Sequence, residues 1–268
     1  MYEQELLIDS FRTKYWGTPL SPGVLAAFLA MPRHRFVKKF SPDGERWITL
    51  TEQNVENYLP LLYADTTLLL YEDGTHTCTI SQPSLVLKML ELLEIRPGHK
   101  VFELGAGSGW NAAMMGHMVG PEGKVISVEI IEEMATQAAL NIQSFDMPQV
   151  SIIHADGSKG YFEEAPFDRG VFTAGAYDIP AVFYDQIKDG GKLLFVLKTP
   201  GLGDLLLSLR KVQGHFVEED RVHVIFVPVT GTNVPEGRDE INELVTKSRL
   251  TIYPKKNVII GSESVFVF

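Results

Sequence analysis

A glycine-rich run beside an acidic residue is the feature of this sequence that most directly indicates chemistry. The run Gly105–Gly109 follows a short apolar segment that contains Glu103, and a helical pattern begins immediately after it. Glycines in such a place let the backbone approach a ligand closely, and a helix N-terminus favours anionic groups. Alone, the run is equally consistent with a structural turn. Its spacing is GxGxG rather than the GxGxxG of dinucleotide-binding loops, which favours another kind of ligand.

Two further carboxylates lie at the ends of the next two apolar segments. Glu129 lies 20 residues after Gly109, where its side chain could accept hydrogen bonds from both hydroxyls of a ribose. Asp156 could accept from an adenine amino group, while the neighbouring backbone N–H at Gly157 reaches a ring nitrogen. Taken singly, Glu129 is most simply a solvated charge and Asp156-Gly157 a turn. Because ligands bind at the carboxyl ends of parallel strands, the three sites in series predict nucleoside binding.

Alternating strand and helix patterns from residue 81 onward would position these residues. We predict strands over residues 100–104, 125–130, 150–155, 170–173 and 192–197. We predict helices over 110–118, 131–145 and 179–187, and another that Ser81 caps and that ends at Pro97-Gly98. Strands over 205–212 and 222–229 would form an antiparallel edge. The predicted fold class is α/β, with a Rossmann-like, doubly wound, mostly parallel sheet.

The chain is expected to have three parts. Residues 81–231 contain the strand and helix alternation and form the ligand-binding domain. Residues 1–80 form an N-terminal helical and irregular segment, with a helix over 22–31, that contributes to the substrate site. Residues 232–268 form a C-terminal accessory extension with one or two added strands near its end.

Composition and charge argue against several classes of function. The net charge of −10 and the pI near 5.2 give an overall field that repels polyanions, which argues against nucleic-acid substrates. The single cysteine, Cys78, excludes an internal disulfide, and the seven dispersed histidines lack metal-ligand spacing, so no metal is expected. We expect a cytoplasmic protein without a membrane partner, because neither a secretory pattern nor a membrane-spanning apolar run is present.

Several short runs, found in a fixed order between about residues 20 and 231, resemble the landmarks of one family. The most specific is Thr79-Ile80-Ser81-Gln82-Pro83, and the others lie at residues 31–37, 63–65, 156–160, 164–168, 173–176 and 226–230. In this order they resemble the protein-L-isoaspartate (D-aspartate) O-methyltransferases, which belong to the class I S-adenosylmethionine-dependent methyltransferases. Unrelated members of class I lack the landmark around Ser81.

The resemblance implies a cofactor, S-adenosyl-L-methionine, with S-adenosyl-L-homocysteine as its product. It assigns cofactor binding to Glu103, Gly105, Ala106, Gly107, Ser108, Gly109, Glu129, Ile130, Asp156 and Gly157. It places the catalytic Ser81 over the methyl-transfer centre, where the hydroxyl would orient the substrate carboxylate. It assigns substrate contacts to Thr79, Ile80, Ala174, Gly175, Ala176, Val229 and Thr230. The implied substrates are isoaspartyl-containing peptides or proteins, methylated on a carboxylate in protein repair.

The chain departs from the family pattern near the implied substrate site. Thr77-Cys78 replaces a usual Gly-Gln, Tyr177 stands where proline is common, and the stretch 41–58 is longer than usual. Two alternatives therefore stay open: a methyltransferase of the same fold that acts on a small molecule, a modified peptide or RNA, and a cofactor-binding module without catalysis. The fourth strand lacks the Asn/Asp-Pro-Pro-aromatic loop typical of enzymes that methylate base amino groups, and the intact Ser81 disfavours the non-catalytic module.

Overall fold

The structure, a computed structural model, describes residues 2–10, 19–199, 203–227, 251–253, 258–261 and 264–267. The chain divides into two compact units. The first comprises Met1–Gly98 with Ala106–Ala155, and the second comprises His99–Gly105 with Asp156–Phe268. The chain therefore passes from the second unit to the first inside the glycine-rich run.

Helices and strands alternate through most of the described chain. The helices are α1 (Tyr2–Ser10), α2 (Pro22–Ala30), α3 (Val55–Leu62), α4 (Pro83–Leu93), α5 (Trp110–Val119), α6 (Glu132–Gln143) and α7 (Phe183–Gln186). In chain order, the first described strands are β1 (Lys39–Phe40), β2 (Ile48–Thr49), β3 (Leu68–Glu72), β4 (Thr77–Ile80), β5 (Lys100–Leu104), β6 (Lys124–Glu129), β7 (Val150–His154) and β8 (Phe167–Phe172). The remaining strands are β9 (Ile187–Thr199), β10 (Gly203–Val212), β11 (His215–Val224), β12 (Thr251–Tyr253), β13 (Val258–Gly261) and β14 (Ser264–Val267). Within the described ranges, no helix is long and apolar enough to cross a bilayer.

The first unit is built around the parallel pair β6 and β7. Their register runs from Val125 opposite Val150 to Glu129 opposite His154. Both α5 and α6 bury an apolar face, which in α5 includes the fully buried Met114 and Met115. The N-terminal part of this unit adds the antiparallel pairs β1–β2 and β3–β4. The β3–β4 pair is followed by the short segment of residues 81 and 82, which leads directly into α4.

The second unit is a sheet in which a parallel half continues into an antiparallel half. Strand β8 pairs in parallel with both β5 and β9, whereas β9, β10 and β11 pair successively in antiparallel fashion. The β10–β11 turn contains Gln213 and Gly214 at φ 50° and 80°, as two-residue hairpin turns require. Strands β12, β13 and β14 extend the antiparallel edge. The predicted α/β class with an antiparallel edge is confirmed.

Two predicted elements near the N-terminus differ from the structure. The stretch after α2 is not simply irregular, because β1, β2 and α3 form there, and α3 tolerates Pro60 in its interior. The next helix starts at Pro83 with Gln82, not Ser81, as its N-cap. It ends at Leu93 rather than at Pro97-Gly98, because Glu94 takes the left-handed conformation with φ 52°.

Several predictions in the second unit were wrong in extent. The strand predicted over 192–197 is β9, which already begins at Ile187 and continues to Thr199, and the strand predicted over 170–173 is β8, Phe167–Phe172. The helix predicted over 179–187 is only the single turn α7, because Ile187 already begins β9. The strand predicted over 222–229 begins at His215, seven residues earlier, and ends at Val224. The charged residues Glu219, Asp220 and Arg221 interrupt the alternation of apolar and polar residues by which a strand is predicted from sequence. Glu219 forms an ion pair with Lys192 on the sheet at 3.0 Å, so a charge is accommodated on this strand.

Candidate active site

The part of the glycine-rich run in the first unit is held by contacts on two sides. Ala106 N donates to Val128 O of β6 at 3.2 Å. Ser108 O accepts from the buried Asn141 Nδ2 of α6 at 2.9 Å. Gly109 forms the N-cap of α5 with φ 81°, a conformation that favours glycine. The loop backbone is therefore fixed before any ligand binds.

The Glu129 carboxylate lies against this loop at the end of β6. Its Oε2 accepts from Gly107 N at 2.8 Å, and its Oε1 accepts from Ile131 N at 3.0 Å. Each carboxylate oxygen has two acceptor sites, so both can take a further donor. The next residue, Ile130, leaves 40% of its surface exposed, although it is large and apolar. This arrangement fits two neighbouring hydroxyls beside a flat ring.

Ser81 lies between β4 and α4, and the prediction that it caps α4 was wrong. Asp65 supplies the cap instead, because its Oδ1 accepts from Ser84 N at 2.8 Å. Asp65 Oδ2 also accepts from Gln82 Nε2 at 3.0 Å. The Ser81 hydroxyl is therefore not required to satisfy the helix N-terminus, which leaves it available for another role.

Strand β4 lies beside the glycine-rich run within the first unit. A Cβ built at Gly107 would lie 3.5 Å from Cys78 Sγ and 3.6 Å from Thr79 O. Thr79 and Ile80 thus belong to a strand that contacts the loop, and Ser81 follows it directly. Burial, and then the charge of Glu129, raise the pKa of the Cys78 thiol, so it stays protonated at neutral pH. This agrees with Cys78 as a packing residue rather than a nucleophile.

In the second unit, Glu103 and Gly105 occupy the end of β5. Glu103 is fully buried and is paired in register with Val171 of β8. Gly105 has φ 93°, and a Cβ there would collide with Thr173 Oγ1. Thr173 Oγ1 donates to Gly105 O at 2.6 Å, which holds the start of the loop to the residue after β8. Only glycine fits this combination of conformation and contact.

Asp156 and Gly157 lie near the end of β5 in the same unit. A Cβ at Gly157 would lie 2.8 Å from Leu104 Cγ, so this backbone packs closely on the last residue of β5. Asp156 Oδ1 accepts from Ser158 N at 3.0 Å and from Ser158 Oγ at 2.7 Å. The Asp156 side chain remains 37% exposed, and Oδ2 lies 3.8 Å from Lys159 Nζ. Asp156 can therefore accept from a ligand without unfolding its turn.

The small residues after β8 contact the segment after β11. Gly175 N donates to Val227 O at 2.8 Å, and Ala176 N donates to Val196 O at 2.9 Å. A Cβ at Gly175 would lie 2.5 Å from Lys198 Cδ, so a larger residue would displace that lysine. Ala174, Gly175 and Ala176 thus lie beside the residues that lead to 229 and 230. The predicted substrate residues Val229 and Thr230 themselves lie outside the described residues.

A buried ion pair supports these small residues, and it was not predicted from the sequence. Lys198 Nζ donates to Asp204 Oδ2 at 2.9 Å and to Phe226 O at 2.7 Å. Asp204 Oδ2 also accepts from Phe226 N at 2.7 Å. Alternating polar residues at the end of a strand were the available signal, but they do not reveal a partner on another strand. Among the described residues, no group of three or more His, Cys, Asp or Glu side chains could hold a metal ion.

Comparison with known proteins gives consistent matches over most of the chain. The family described as protein-L-isoaspartate(D-aspartate) O-methyltransferase matches residues 3–234. The protein-L-isoaspartate O-methyltransferase of Methanopyrus kandleri is 36% identical over 229 residues, covering 85% of this chain and 91% of that protein. The protein of the same name from Methanosarcina mazei is 36% identical over 229 residues, covering 85% of this chain and 83% of that protein.

Solved structures share the fold at lower identity. A protein-L-isoaspartate O-methyltransferase superposes with a TM-score of 0.73 at 23% identity, covering 99% of this chain and 88% of that chain. A Plasmodium falciparum structure described by the same activity, in complex with S-adenosyl-L-homocysteine, has a TM-score of 0.64 at 21% identity, covering 85% of this chain and 97% of that chain. Because the family match covers residues 3–234 of the 268, the chain belongs to the protein-L-isoaspartate(D-aspartate) O-methyltransferase family.

Proposed function

We propose that this protein transfers a methyl group from S-adenosylmethionine to the free carboxylate of L-isoaspartyl residues, as a step in the repair of damaged proteins. Relatives that bear this activity in their names cover most of the chain and support the reaction class. One structural observation carries the assignment. Strand β4, which leads to Ser81, lies against Gly107, and Gly107 N also donates to Glu129. The strand that leads to Ser81 and the carboxylate that we propose for ribose binding therefore both contact Gly107.

The residues present in each unit fit the proposed cofactor. In the first unit, Glu129 offers acceptors for ribose hydroxyls and the exposed Ile130 offers an apolar face for adenine. In the second unit, the partly exposed Asp156 offers an acceptor for the adenine amino group, and Gly157 packs its backbone against Leu104 at the end of β5, directly after that carboxylate. S-adenosylmethionine, when bound, supplies a methyl group on a positively charged sulfur. The assignment of Glu103 and of Gly105–Gly109 to the same ligand stays a prediction from the motif.

The chain's own residues have a limited chemical task in this reaction. An isoaspartyl carboxylate is already an anion at neutral pH, so it needs no general base. As the oxygen–carbon bond forms, the carbon–sulfur bond breaks with its electron pair left on sulfur, and no proton has to move. Ser81 would donate its hydroxyl hydrogen to the oxygen that does not attack, which holds the carboxylate in line. Catalysis then depends on positioning and on exclusion of water.

A steric argument links the small residues after β8 to the substrate class. An isoaspartyl residue has one extra methylene in its backbone, so its main chain needs room beside the reacting carboxylate. Of the three small residues, Ala174 is half-buried and can border this room, whereas Gly175 and Ala176 are buried and the space beside Gly175 is filled by Lys198. The contact between Gly175 N and Val227 O keeps this backbone in place. Tyr177 follows these residues and is half-buried, and we propose that its larger side chain narrows the slot. We therefore expect peptides with small flanking residues to be preferred.

The chemical nature of the product tests the proposal. The protein is incubated with S-adenosylmethionine labelled in its methyl group and with an L-isoaspartyl peptide. A carboxyl methyl ester should release the label as volatile methanol after mild base treatment. Label that stays on the peptide through that treatment would indicate methylation of nitrogen or carbon and would contradict carboxyl transfer. Absence of any transfer together with retained cofactor binding would favour a non-catalytic module.

We also propose that residues 232–268 are an accessory extension of the catalytic domain and that cofactor binding does not require them. The family match ends at residue 234. Within the extension, β12 pairs with β11 at Phe216 and Val217, and β11 contains none of the predicted cofactor-binding residues. A chain truncated after Gly231 should bind S-adenosylhomocysteine within about threefold of the full chain, as calorimetry would measure. Loss of binding in a truncated chain that retains its far-ultraviolet circular dichroism would show that the tail completes the site.

A further inference from the structure

A fully buried arginine joins the segments that surround Ser81. The Arg33 guanidinium is 0% exposed. Its Nη2 donates to Ser81 O at 3.0 Å, to Ile80 O at 3.2 Å and to Thr66 O at 3.1 Å. Its Nη1 donates to Leu62 O. One side chain thus holds carbonyls from the end of α3, from the loop before β3, and from the last residue of β4 and the residue after it.

Burying a cation such as this one is energetically unfavourable compared with burying an apolar side chain. Taking a charge out of water costs several kcal/mol, whereas an apolar side chain of similar volume fills a core without that penalty. Burial lowers the pKa of Arg33 to about 9, with the charge of Asp65 acting in the opposite direction. The planar fork of a guanidinium is suited to several fixed acceptors at once, which neither a lysine nor an apolar residue can reproduce.

Asp65 completes the contacts from the other side of Ser81. Its two carboxylate oxygens accept from Ser84 N at 2.8 Å and from Gln82 Nε2 at 3.0 Å. Arg33 therefore holds the carbonyls at and before Ser81, and Asp65 holds the two residues that follow closely after it. The backbone at Ser81 is fixed from both directions by opposite charges on different segments.

We propose that Arg33 and Asp65 are positioning residues that act through Ser81, fixing its backbone so that its hydroxyl meets the acceptor carboxylate. This inference rests on the proposed function, because it concerns the transfer step. Neither side chain is expected to touch the substrate. A misplacement of about 1 Å in such a group can lower a rate up to about a hundredfold.

A double-mutant cycle separates this role from a purely structural one. Arg33→Lys keeps the charge but loses the fork, and it should lower kcat for an isoaspartyl peptide about fivefold or more. In a Ser81→Ala background the same substitution should lower kcat less than about twofold, because the group that it positions is gone. Asp65→Asn should follow the same pattern.

The matched control is Arg35→Lys, in the same short 3-10 turn Arg33–Phe36. Arg35 is exposed, and its Cζ lies 4.1 Å from the centroid of the Phe145 ring, so its contact is with a different part of the unit. This variant should keep kcat within about twofold of the parent protein. Calorimetry with S-adenosylhomocysteine and thermal melting are run on every variant, so that rates are compared for folded, cofactor-binding protein.

Equal losses from Arg33→Lys in the presence and absence of Ser81 would overturn the proposal, as would a folded Arg33→Lys variant with unchanged kcat. Should the parent protein not methylate isoaspartyl peptides, the proposed function fails, and amide hydrogen exchange still tests the positioning. The amides of Ser81, Gln82 and Ser84 should then exchange faster in Arg33→Lys than in the parent and in Arg35→Lys. Unchanged exchange there would overturn the positioning role independently of the substrate.

Discussion

Replacing Ser81 with alanine is expected to lower kcat for an isoaspartyl peptide at least about tenfold, while the affinity for S-adenosylhomocysteine stays within about twofold. The substitution would remove one hydrogen bond to the substrate carboxylate in a site shielded from water, where such bonds contribute most. Cofactor affinity should not change, because the proposed cofactor contacts are those of Glu129 and the backbone of the run 105–109, not of this hydroxyl. Steady-state kinetics and calorimetry on the same preparation measure both quantities.

Ser81→Ala should also leave the free energy of unfolding nearly unchanged, so that a lower kcat can be attributed to the transfer step rather than to unfolding. The cap of α4 comes from Asp65 through Ser84 N, and Arg33 contacts the carbonyl of residue 81, which alanine retains. We expect a change in Tm below about 3 °C. Ser81→Thr, which retains a hydroxyl, should recover part of the lost rate. If Ser81→Ala transfers methyl groups at the full rate, Ser81 has no catalytic role.

Replacing Glu129 with alanine is expected to weaken cofactor binding by about 1–3 kcal/mol, because charge-assisted hydrogen bonds to two hydroxyls are lost. This corresponds to a Kd increase of about 5- to 150-fold. The loop is also affected, since Gly107 N and Ile131 N both donate to this carboxylate. Glu129→Gln keeps the shape and one acceptor oxygen, and it should give an intermediate loss.

Glu133 provides the matched control for the loss of charge. It lies four residues later in the first turn of α6 and is exposed. Glu133→Gln should keep the Kd within about twofold, because exposed charges contribute little when salt screens them. Equal weakening by both substitutions would mean that net charge, rather than hydrogen bonding by Glu129, governs affinity. An unchanged Kd in folded Glu129→Ala would remove Glu129 from the site.

The sheet strands and the glycine-rich run could be predicted because their signals are local. The strand predicted over 100–104 is β5 itself, the strand predicted over 150–155 is one residue longer than β7, and the strand predicted over 125–130 is shifted by one residue from β6. A buried parallel strand reads as a short continuous apolar run, and a glycine with φ 93°, such as Gly105, marks the point where the chain turns sharply.

The contacts that surround Ser81 could not be predicted, because their partners are distant in sequence. A serine followed by a proline two residues later favours an N-cap, yet Asp65 reaches Ser84 N from 19 residues away. The Arg33 side chain contacts carbonyls that lie between 29 and 48 residues from it. A single sequence shows where charged residues lie, but it does not show which backbone groups they will meet. The landmark status of residues 31–37 and 63–65 was the only available indication.

The edge of the second unit shows a different limit. Strand β11 begins at His215, but its solvent-facing charges made its first half resemble a loop. Strand β9 continues through Gly190 and Gly191, although two glycines usually mark a turn, because a register shift between Phe167 and Arg169 of β8 absorbs them. Tertiary pairing overrides local propensity in both places.

The most direct test of the proposed activity compares two synthetic peptides that differ only in one linkage, L-isoaspartyl in one and L-aspartyl in the other. Methyl transfer from S-adenosylmethionine is measured for each, and the two values of kcat/KM are compared. We predict that the isoaspartyl peptide is methylated with a kcat/KM at least about a hundredfold higher, because only its backbone places a carboxylate where Ser81 can orient it. Equal methylation of both peptides, or transfer to neither by a protein that binds the cofactor, would contradict the proposed function.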